Sequence, residues 1–244
     1  MLHNTIISNQ SGLIIIPTYN ERDNIVKLIK QILYLPILVD ILVIDDNSPD
    51  GTGSVIEAVQ QKNLRIKLLK RSGKLGLGTA YIEGFKFALE QGYKFIVTMD
   101  ADFSHDPKYI PELINNLNNH DLIIGSRYIK NGGVKNWPLK RRLLSRLGNF
   151  YAKIILHTPI NDNTAGFMAM RLEILQKINL DKIHGRGYAF LVELKYALFR
   201  QDAKIVELPI IFVERILGKS KISSNIIKEG LIMPWVLKIQ YRKK

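Results

Sequence analysis

The segment Lys94–His105, with the sequence KFIVTMDADFSH, joins a short apolar run to two closely spaced acids. Residues Phe95 to Met99 are mostly apolar and favour β-structure, which predicts a buried strand. Asp100 and Asp102 follow it, and their i, i+2 spacing places both carboxylates on the same side of an extended segment. Such a pair predicts a bound cation, because Mg²⁺ commonly takes one or two carboxylates and completes its shell with phosphate oxygens and water. The alternative is that both acids are solvated and begin a turn.

Four strand-like runs alternate with helical patterns in the first half of the chain, which is typical of an α/β protein with a mostly parallel sheet. The predicted strands are Gly12–Ile16, Asp40–Ile44, Arg65–Leu69 and Phe95–Met99. Polar clusters follow three of them, namely Thr18/Asn20/Glu21, Asp45/Asp46 and Asp100/Asp102. Ligands of such sheets bind at the carboxyl ends of the strands. Because converging acids repel unless a cation or a donor-rich ligand lies between them, a nucleotide–metal site is predicted there.

Two common nucleotide-binding motifs are missing. The glycines Gly76, Gly78 and Gly84 do not form G-x-G-x-x-G, and they follow the third predicted strand instead of the first. No G-x-x-x-x-G-K-[ST] is present either. A dinucleotide-binding site and a phosphate-loop NTPase are therefore both disfavoured.

The second half of the chain predicts further strands at Asp121–Gly125, Phe167–Met170 and Ile205–Val213, and helices at Arg142–Leu156 and Tyr188–Phe199. The first of these helices has an apolar and a basic side, formed by Leu143, Leu147, Phe150 and Ile154 and by Arg142, Arg146, Asn149 and Lys153. A helix of this kind can lie in a membrane interface. The alternative is that its apolar side is core and its basic side is simply solvated.

The formal net charge of the 244-residue chain is +13, and the charge is unevenly distributed. The range 122–161 contains eight Lys and Arg but no acid, and the range 214–244 has another eight against two acids. Nucleic acid and an anionic membrane both fit such patches. The absence of a zinc pattern and of a basic zipper, together with the Trp and Tyr residues near the basic C-terminal end, favours the membrane.

Other features of the composition narrow the cellular context. The chain contains no cysteine, which excludes disulfides and thiolate chemistry. The first eleven residues are polar, so we expect no signal peptide. An apolar run of about 18 residues is also missing, so we expect no transmembrane span.

Eight short motifs occur in a fixed order between about Leu13 and Ser223. They are PTYNE (17–21), IDDNSPDGT (44–52), GLGTAY (76–81), DAD (100–102), GSRY (125–128), NWP (136–138), DNTAGF (162–167) and GKSK (218–221). Together they resemble a family 2 glycosyltransferase of the GT-A fold, specifically a polyprenol-phosphate (dolichol-phosphate) mannosyltransferase. The resemblance implies inverting transfer of mannose from GDP-mannose to the phosphate of a polyprenyl or dolichyl monophosphate. It also implies dependence on Mg²⁺ or Mn²⁺ and a peripheral location on the cytoplasmic face of a membrane.

The resemblance further implies roles for individual residues. The nucleotide-sugar set is Pro17, Tyr19, Glu21, Ile44, Asp46, Asp100, Ala101, Arg215 and Lys221. The metal set is Asp100, Asp102 and Ser104, where Ser104 replaces a glutamine found in many relatives. The acceptor-phosphate set is Arg127, Arg141 and Ser145, and the implied catalytic residues are Asp102, Arg127 and Arg215.

The chemistry of the acceptor leads independently to a basic site. A phosphate monoester has its second pKa near 6, so it is largely dianionic at neutral pH and is already a nucleophile. Its site should therefore offer cations instead of a catalytic carboxylate, as the acid-free stretch around Arg127 and Arg141 does.

The predicted organisation is a GT-A domain over residues 1–221 and a basic amphipathic tail over 222–244 that contacts a membrane surface. Within the domain, residues 13–120 form the half for nucleotide sugar and metal, and residues 121–221 form the acceptor half. Two alternatives stay open. One is a relative that uses UDP-glucose or another nucleotide sugar, and the other is a non-catalytic basic protein that binds membranes or nucleic acid. For the mannosyltransferase itself we expect no nucleic-acid partner, and the need for a small membrane partner subunit is left open.

Overall fold

The computed structural model describes residues 11–214 and 224–242, with the backbone alone for 224–229. Its strands are β1 Gly12–Thr18, β2 Val39–Asp45, β3 Ile66–Lys70, β4 Phe95–Thr98, β5 Leu122–Ser126, β6 Gly133–Lys135, β7 Met168–Arg171, β8 Ile205–Pro209 and β9 Ile211–Val213. Its α-helices are α1 Arg22–Leu33, α2 Thr52–Gln60, α3 Leu77–Glu90, α4 Ile110–Asn116, α5 Leu139–Leu156, α6 Leu172–Leu175, α7 Tyr188–Phe199 and α8 Ser224–Gln240.

Seven strands form one sheet in the order β3-β2-β1-β4-β7-β5-β8, and β6 pairs with β9 in a separate small sheet. Only β7 runs antiparallel to its neighbours β4 and β5 in the larger sheet. The other neighbours are parallel, as expected for near-continuous apolar strands that helices cover on both faces. The predicted α/β fold with a mostly parallel sheet is therefore confirmed.

Helices cover both faces of the sheet and close a hydrophobic layer on each side. One layer contains side chains of α1, α2 and α4, and the other contains side chains of α3 and α7. Gly84 lets α3 lie close to the sheet, since a Cβ there would come within 3 Å of side-chain atoms of Ile15 and Ile44. The start of α3 lies next to the residue that follows β2, since the Gly76 backbone N–H donates to Asp46 (3.2 Å).

The strand register brings the three predicted polar clusters to the same edge of the sheet. Thr18 at the end of β1 is paired with Asp45 at the end of β2. Ile15 of β1 is paired with Thr98 at the end of β4, so Asp100 follows at the same edge. The candidate site therefore lies where parallel-sheet proteins bind their ligands.

Helix α5 begins at Leu139, three residues before its predicted start. Four of its apolar side chains are 51–61% exposed, whereas Asn149, Ala152 and Leu156 are buried; the exposed four are Leu143, Leu147, Phe150 and Ile154. The alternative in which this apolar side is core is therefore wrong, because α5 packs on the protein through a different side.

Helix α8 packs beside α5 and also leaves apolar side chains exposed. The Trp235 indole donates to the Tyr151 hydroxyl (2.8 Å), which donates to the Leu231 carbonyl oxygen (2.9 Å). The apolar residues that the two helices leave exposed are called the α5–α8 apolar surface below; they are Leu139, Leu143, Leu144, Leu147, Phe150 and Ile154 of α5 and Leu231, Ile232, Trp235, Val236 and Ile239 of α8. Within the described part of the chain, no helix has both the length and the apolar character needed to cross a bilayer.

Candidate active site

The acid pair lies on a short loop that directly follows β4. Phe103, between Asp102 and Ser104, has a positive φ of 61° in the left-handed region. An Asp102 carboxylate oxygen accepts the Ser104 backbone N–H (3.1 Å), and Nδ1 of His105 accepts the Asp100 backbone N–H (3.0 Å). Both acids are thus held on one locally closed loop at the edge of the sheet.

His105 supports this loop as a neutral imidazole. Its ring is buried, stacks on Phe167 at 5.0 Å between centroids and meets Phe212 edge-on at 5.4 Å. Burial lowers the pKa of His105, although Asp100 and Asp102 act in the opposite direction. Because Nδ1 already accepts a hydrogen bond, the proton of the neutral ring is on Nε2.

The acid loop fits a divalent cation that a phosphate ligand shares. Asp100, Asp102 and Ser104 offer hard oxygen donors, and the buried Ser104 hydroxyl has no hydrogen-bond partner among the described residues. Nowhere in 11–214 and 224–242 do three or more Asp, Glu, His or Cys side chains gather into a metal site. Asp100 and Asp102 supply the two carboxylates that Mg²⁺ can take when phosphate oxygens and water complete its shell.

Asp46, which is predicted to bind the nucleotide, is held by Arg71. The buried guanidinium of Arg71 donates to Asp46 (2.5 Å) and to Glu83 (3.1 Å), and the Gly76 backbone N–H also donates to Asp46 (3.2 Å). Gly76 has a positive φ of 99°, which glycine adopts without strain. The sequence analysis missed Arg71, and its only signal was a basic residue directly after a strand.

The other predicted nucleotide-binding residues differ in their exposure. Tyr19 is 36% exposed, and the Lys74 ammonium lies 3.9 Å from the centroid of its ring. The Glu21 carboxylate accepts from the Asn24 amide (2.9 Å), and Pro17 is the one partly exposed residue of β1. The side chains of Ile44 and Ala101 are buried in the core, so a ligand contact at either position would have to come from the backbone.

Arg127, which is predicted to hold the acceptor phosphate, forms a buried ion pair with Asp162. Its Nε and Nη2 donate to the two carboxylate oxygens at 2.8 and 2.7 Å, and Nη2 also donates to Thr164. The Arg127 charge lowers the pKa of Asp162 against the effect of burial, and Asp162 raises the pKa of Arg127. Both groups are therefore charged, and Nη1 is the Arg127 nitrogen without a hydrogen-bond partner in the described structure.

The other two predicted acceptor residues lie close to Arg127. Arg141 donates through Nη1 to Glu214, and its guanidinium lies 4.0 Å from the centroid of the Trp137 ring. The Arg127 guanidinium is 5.5 Å from the same ring. The Ser145 hydroxyl accepts from Tyr128, the residue after Arg127, at 2.7 Å. The structure thus brings Arg127, Arg141 and Ser145 together.

Phe212 connects the acid loop with these arginines. Its ring is 5.4 Å from His105, 5.5 Å from Trp137 and 5.5 Å from the Arg127 guanidinium. The next residue, Val213, donates its backbone N–H to the Ser104 carbonyl oxygen (3.3 Å). The acidic and basic parts of the site are therefore adjacent.

Unpaired buried polar atoms concentrate at this junction. Among the described residues, six buried side-chain nitrogen or oxygen atoms have no hydrogen-bond partner, and four of them are Ser104 Oγ, Trp137 Nε1, Arg141 Nε and Glu214 Oε2. A buried polar atom is costly unless a water molecule, an ion or a ligand supplies its partner, so this junction has unused capacity to bind a polar ligand.

Lys195 of α7 supports the loop that carries Asp162 from within the core and was not predicted. It is fully buried, and its ammonium donates to the carbonyl oxygens of Asn163 (3.0 Å) and Ala165 (2.6 Å) on the loop that carries Asp162. Burial lowers its pKa to about 7, while Asp162 acts in the opposite direction. No sequence signal identifies it, because α7 reads as an almost continuous apolar helix.

The predicted donor-side residues Arg215 and Lys221 lie outside the described residues. The roles of these two residues therefore rest on the motif resemblance alone.

Comparison with known proteins identifies the family. The model of glycosyl transferase family 2 matches residues 13–179. The chain belongs to this family. It is 41% identical over 229 residues to a polyprenol monophosphomannose synthase of Mycolicibacterium smegmatis, covering 93% of this chain and 86% of the relative. It is 42% identical over 220 residues to an undecaprenyl-phosphate mannosyltransferase of Micrococcus luteus, covering 90% of each.

Solved structures of low sequence identity share the fold. Glucosyl-3-phosphoglycerate synthase of Mycobacterium tuberculosis, in complex with Mn²⁺, UDP and glucosyl-3-phosphoglycerate, matches with a TM-score of 0.66 at 16% identity, over 96% of this chain and 81% of that one. A mannosyltransferase of Pyrobaculum calidifontis in complex with GDP-Man and Mn²⁺ matches with a TM-score of 0.62 at 14% identity, over 94% of this chain and 64% of that one. The predicted family resemblance, the GT-A fold and the glycosyltransferase class are confirmed.

Proposed function

We propose that this glycosyltransferase transfers mannose from GDP-mannose to the phosphate of a polyprenyl monophosphate at a membrane surface. The names of the two relatives from Mycolicibacterium smegmatis and Micrococcus luteus support a polyprenol phosphate acceptor and mannose as the sugar. The GDP-Man complex of a mannosyltransferase with the same fold is compatible with GDP-mannose as the donor.

The observation that carries the proposal is the state of the carboxylates beside the predicted acceptor residues. Asp162 accepts from Arg127 through both of its oxygens, and its pKa is lowered. Glu214 accepts from Arg141. A carboxylate held as Asp162 is serves poorly as a general base, which suits an acceptor that needs none. A dianionic phosphate is such an acceptor, whereas a sugar hydroxyl is not.

In the proposed reaction an acceptor phosphate oxygen attacks the anomeric carbon of mannose. The bond between that carbon and the donor diphosphate breaks, GDP leaves with the bonding electrons, and the configuration inverts. Arg141, together with the remaining donors of Arg127, would hold the acceptor phosphate and offset the repulsion between two anions. Trp137 Nε1 and Arg141 Nε are buried donors suited to phosphate oxygens at the same place. Arg215 and Lys221 are proposed to close over the donor diphosphate.

Asp100 and Asp102 would hold Mg²⁺ or Mn²⁺, with Ser104 as a third oxygen donor. A divalent ion bound there would supply electrostatic stabilisation to the leaving diphosphate. The chain's own contribution is to fix both carboxylates on the loop that Ser104 and His105 close. Asp46, which Arg71 orients, and the exposed ring of Tyr19 are proposed to bind the nucleotide.

The α5–α8 apolar surface supports the proposed membrane location. Exposed apolar side chains of this number on two neighbouring helices are unusual for a surface that faces only water. The basic residues of α5 lie beside them, as in helices that rest in the headgroup region. We place this surface on the cytoplasmic side of the membrane as part of the same proposal.

The acceptor chemistry can be tested by comparing polyprenyl phosphate with polyprenol of the same chain length. With GDP-mannose labelled in the sugar, the proposal expects labelled lipid from the phosphate only. Comparable labelling of the free alcohol would require a general base and would overturn the proposal.

A further inference from the structure

Glu193 is a buried carboxylate in the middle of α7, and the proposed reaction does not use it. Its partners among the described residues are four neutral donors, namely two backbone N–H groups, a side-chain amide and a hydroxyl. A buried carboxylate is costly unless such donors replace the water that it loses. The positions of the four donors therefore indicate which parts of the chain Glu193 holds together.

One oxygen of Glu193 holds the loop that precedes α7. Oε2 accepts the backbone N–H groups of His184 (3.0 Å) and Gly185 (2.7 Å). Gly185 lies so close to α7 that a Cβ on it would come within 2.6 Å of the Phe190 backbone nitrogen. Loop 183–187 is therefore packed tightly against α7, and the carboxylate fixes its two central N–H groups.

The other oxygen of Glu193 holds the C-terminal end of α8. Oε1 accepts from the Gln240 amide (3.3 Å) and from the Tyr241 hydroxyl (3.3 Å). The Gln240 amide also donates to the Lys182 carbonyl oxygen (3.4 Å), directly before loop 183–187. Burial and the Glu193 charge raise the pKa of Tyr241, so its hydroxyl keeps the proton that it donates. The end of α8 and loop 183–187 are thus bonded to the same carboxylate.

Loop 183–187 also touches the start of α3, beside the predicted nucleotide-binding residue Asp46. A Cβ on Gly78, the second residue of α3, would lie 3.0 Å from the Gly185 carbonyl oxygen. Two residues earlier, the Gly76 backbone N–H donates to Asp46 (3.2 Å). Because closely packed interiors transmit small displacements, a shift of loop 183–187 would move the backbone that holds Asp46.

We infer that Glu193 is a positioning residue for the nucleotide, because its two oxygens couple the end of α8 to loop 183–187 and, through that loop, to Gly76 and Asp46. The inference rests on the proposed function in treating Asp46 as a nucleotide-binding residue. The outer side of α8 belongs to the α5–α8 apolar surface, so the same contact connects the proposed membrane surface with the nucleotide.

The test removes the α8 side of this contact from the full-length protein and leaves the predicted site residues unchanged. The variant Gln240→Met/Tyr241→Phe deletes both donors to Oε1 of Glu193. The Tyr241 ring packs edge-on against Tyr196 of α7 (5.7 Å between centroids), and phenylalanine retains that packing. Thermal unfolding shows that the variant is folded, and Tyr241→Phe alone, which keeps the Gln240 contact, should give a smaller change in the same direction.

The matched control, Tyr151→Phe, removes two hydrogen bonds of α8 that do not involve Glu193. The Tyr151 hydroxyl donates to the Leu231 carbonyl oxygen and accepts from the Trp235 indole. A general loosening of α8 would affect both variants, whereas coupling through Glu193 affects only the variant at Gln240 and Tyr241.

Two measurements without acceptor lipid follow the loop and the nucleotide. Backbone hydrogen exchange, read on peptides that contain Gly185 and Gly76, should become at least about threefold faster in the Gln240/Tyr241 variant. Calorimetric titration with GDP and Mn²⁺ should show an affinity about 3- to 30-fold weaker for the same variant. Tyr151→Phe should stay within about twofold of the wild type in both measurements.

Unchanged GDP affinity of the Gln240/Tyr241 variant would overturn the inference even if exchange at Gly185 were faster, because Glu193 would then only anchor α8. Equal effects of this variant and Tyr151→Phe would overturn it as well. If the wild type binds UDP instead of GDP, the proposed donor is wrong, and the same comparison made with UDP tests the coupling. The exchange comparison needs no ligand and does not depend on the donor.

Discussion

Arg127 and Asp162 form a two-point ion pair that connects the end of β5 with the loop before β7. Both side chains are buried, and the Arg127 backbone N–H donates to the same carboxylate (2.9 Å). Lys195 holds this loop from behind through the carbonyl oxygens of Asn163 and Ala165. Further along the loop, Gly166 accepts a hydrogen bond from the Thr98 hydroxyl at the end of β4 (2.7 Å). One loop therefore connects Arg127 with the strand that precedes the acid pair.

Removing the carboxylate of this pair should destabilise the protein strongly. Asp162→Asn leaves the Arg127 charge buried without a counter-charge, which costs about 3–5 kcal/mol of unfolding free energy. The control is Asp181→Asn, because Asp181 pairs with Lys86 on the surface and both side chains are well exposed. Urea unfolding of both variants checks this expectation, and similar small losses would show that the buried pair is not important for stability.

The acid pair should be essential for transfer and dispensable for folding. Asp102→Asn keeps an oxygen that can accept the Ser104 N–H but removes the charge that a divalent ion needs, so we expect kcat to fall at least about 100-fold with no change in thermal unfolding. Glu112→Gln removes the same charge from the exposed side of α4 and serves as the control. Full activity of the Asp102 variant at low metal concentration would refute the role of the acid pair.

Arg141 should act on the acceptor and leave the donor unaffected. A hydrogen bond to a charged group contributes about 1.5–3 kcal/mol, so Arg141→Ala should lower kcat/KM for polyprenyl phosphate about 10- to 100-fold. Binding of GDP-mannose, measured by calorimetry, should change little. Lys140→Ala is the control on the neighbouring exposed position. An equal loss of donor affinity in the Arg141 variant would contradict its assignment to the acceptor.

Lys195 should make stability depend on pH above neutrality. Its pKa in the folded protein is about 7, below that of an unfolded chain, so between pH 7 and about 10 the unfolded chain binds more protons. Over this window the unfolding free energy of the wild type should rise relative to Lys195→Met by about 1.4 kcal/mol per pH unit. Asp162 and Arg127 stay charged throughout this pH window, because the pKa of Asp162 is lowered and the pKa of Arg127 is raised. If the unfolding free energies of the two proteins changed with pH in parallel over this window, Lys195 would not titrate within it.

The apolar side of α5 should contribute to membrane binding independently of charge. Leu143→Ser/Leu147→Ser should weaken association with neutral phosphatidylcholine vesicles at least about tenfold, because a buried leucine contributes about 1.5–3 kcal/mol. Leu38→Ser/Leu64→Ser is a matched control. These leucines are 71% and 90% exposed, and they lie before the amino ends of β2 and β3, outside the α5–α8 apolar surface. If both double variants associate equally well, the α5–α8 apolar surface is not the membrane contact.

The sequence was sufficient to predict most elements of the sheet, because its strands are apolar runs that end in turn residues. The acid pair could also be recognised, since both of its members lie within three residues of each other. The position of β7 between β4 and β5 could not be predicted, because it depends on pairing with strands far apart in sequence. The same applies to the partners of Arg127 and Arg141, which are 35 and 73 residues away.

Periodicity alone could not tell which side of α5 faces the protein. An apolar stripe normally packs on the core, but the residues of α5 that do so include Asn149, which bonds to Thr164 on the Asp162 loop. Lys195 and Arg71 were missed for a related reason. A single cation in an apolar or mixed segment gives no sign that backbone carbonyls or distant carboxylates will surround it in the fold.

The most direct test of the proposed function is a comparison of sugar donors. The protein is incubated with polyprenyl phosphate, Mg²⁺ and equal concentrations of GDP-mannose, UDP-glucose or UDP-GlcNAc labelled in the sugar, and label in the extracted lipid is measured. We predict labelled lipid from GDP-mannose, with far slower transfer from the two UDP-sugars. Faster transfer from a UDP-sugar, or no labelled lipid from GDP-mannose, would contradict the proposal.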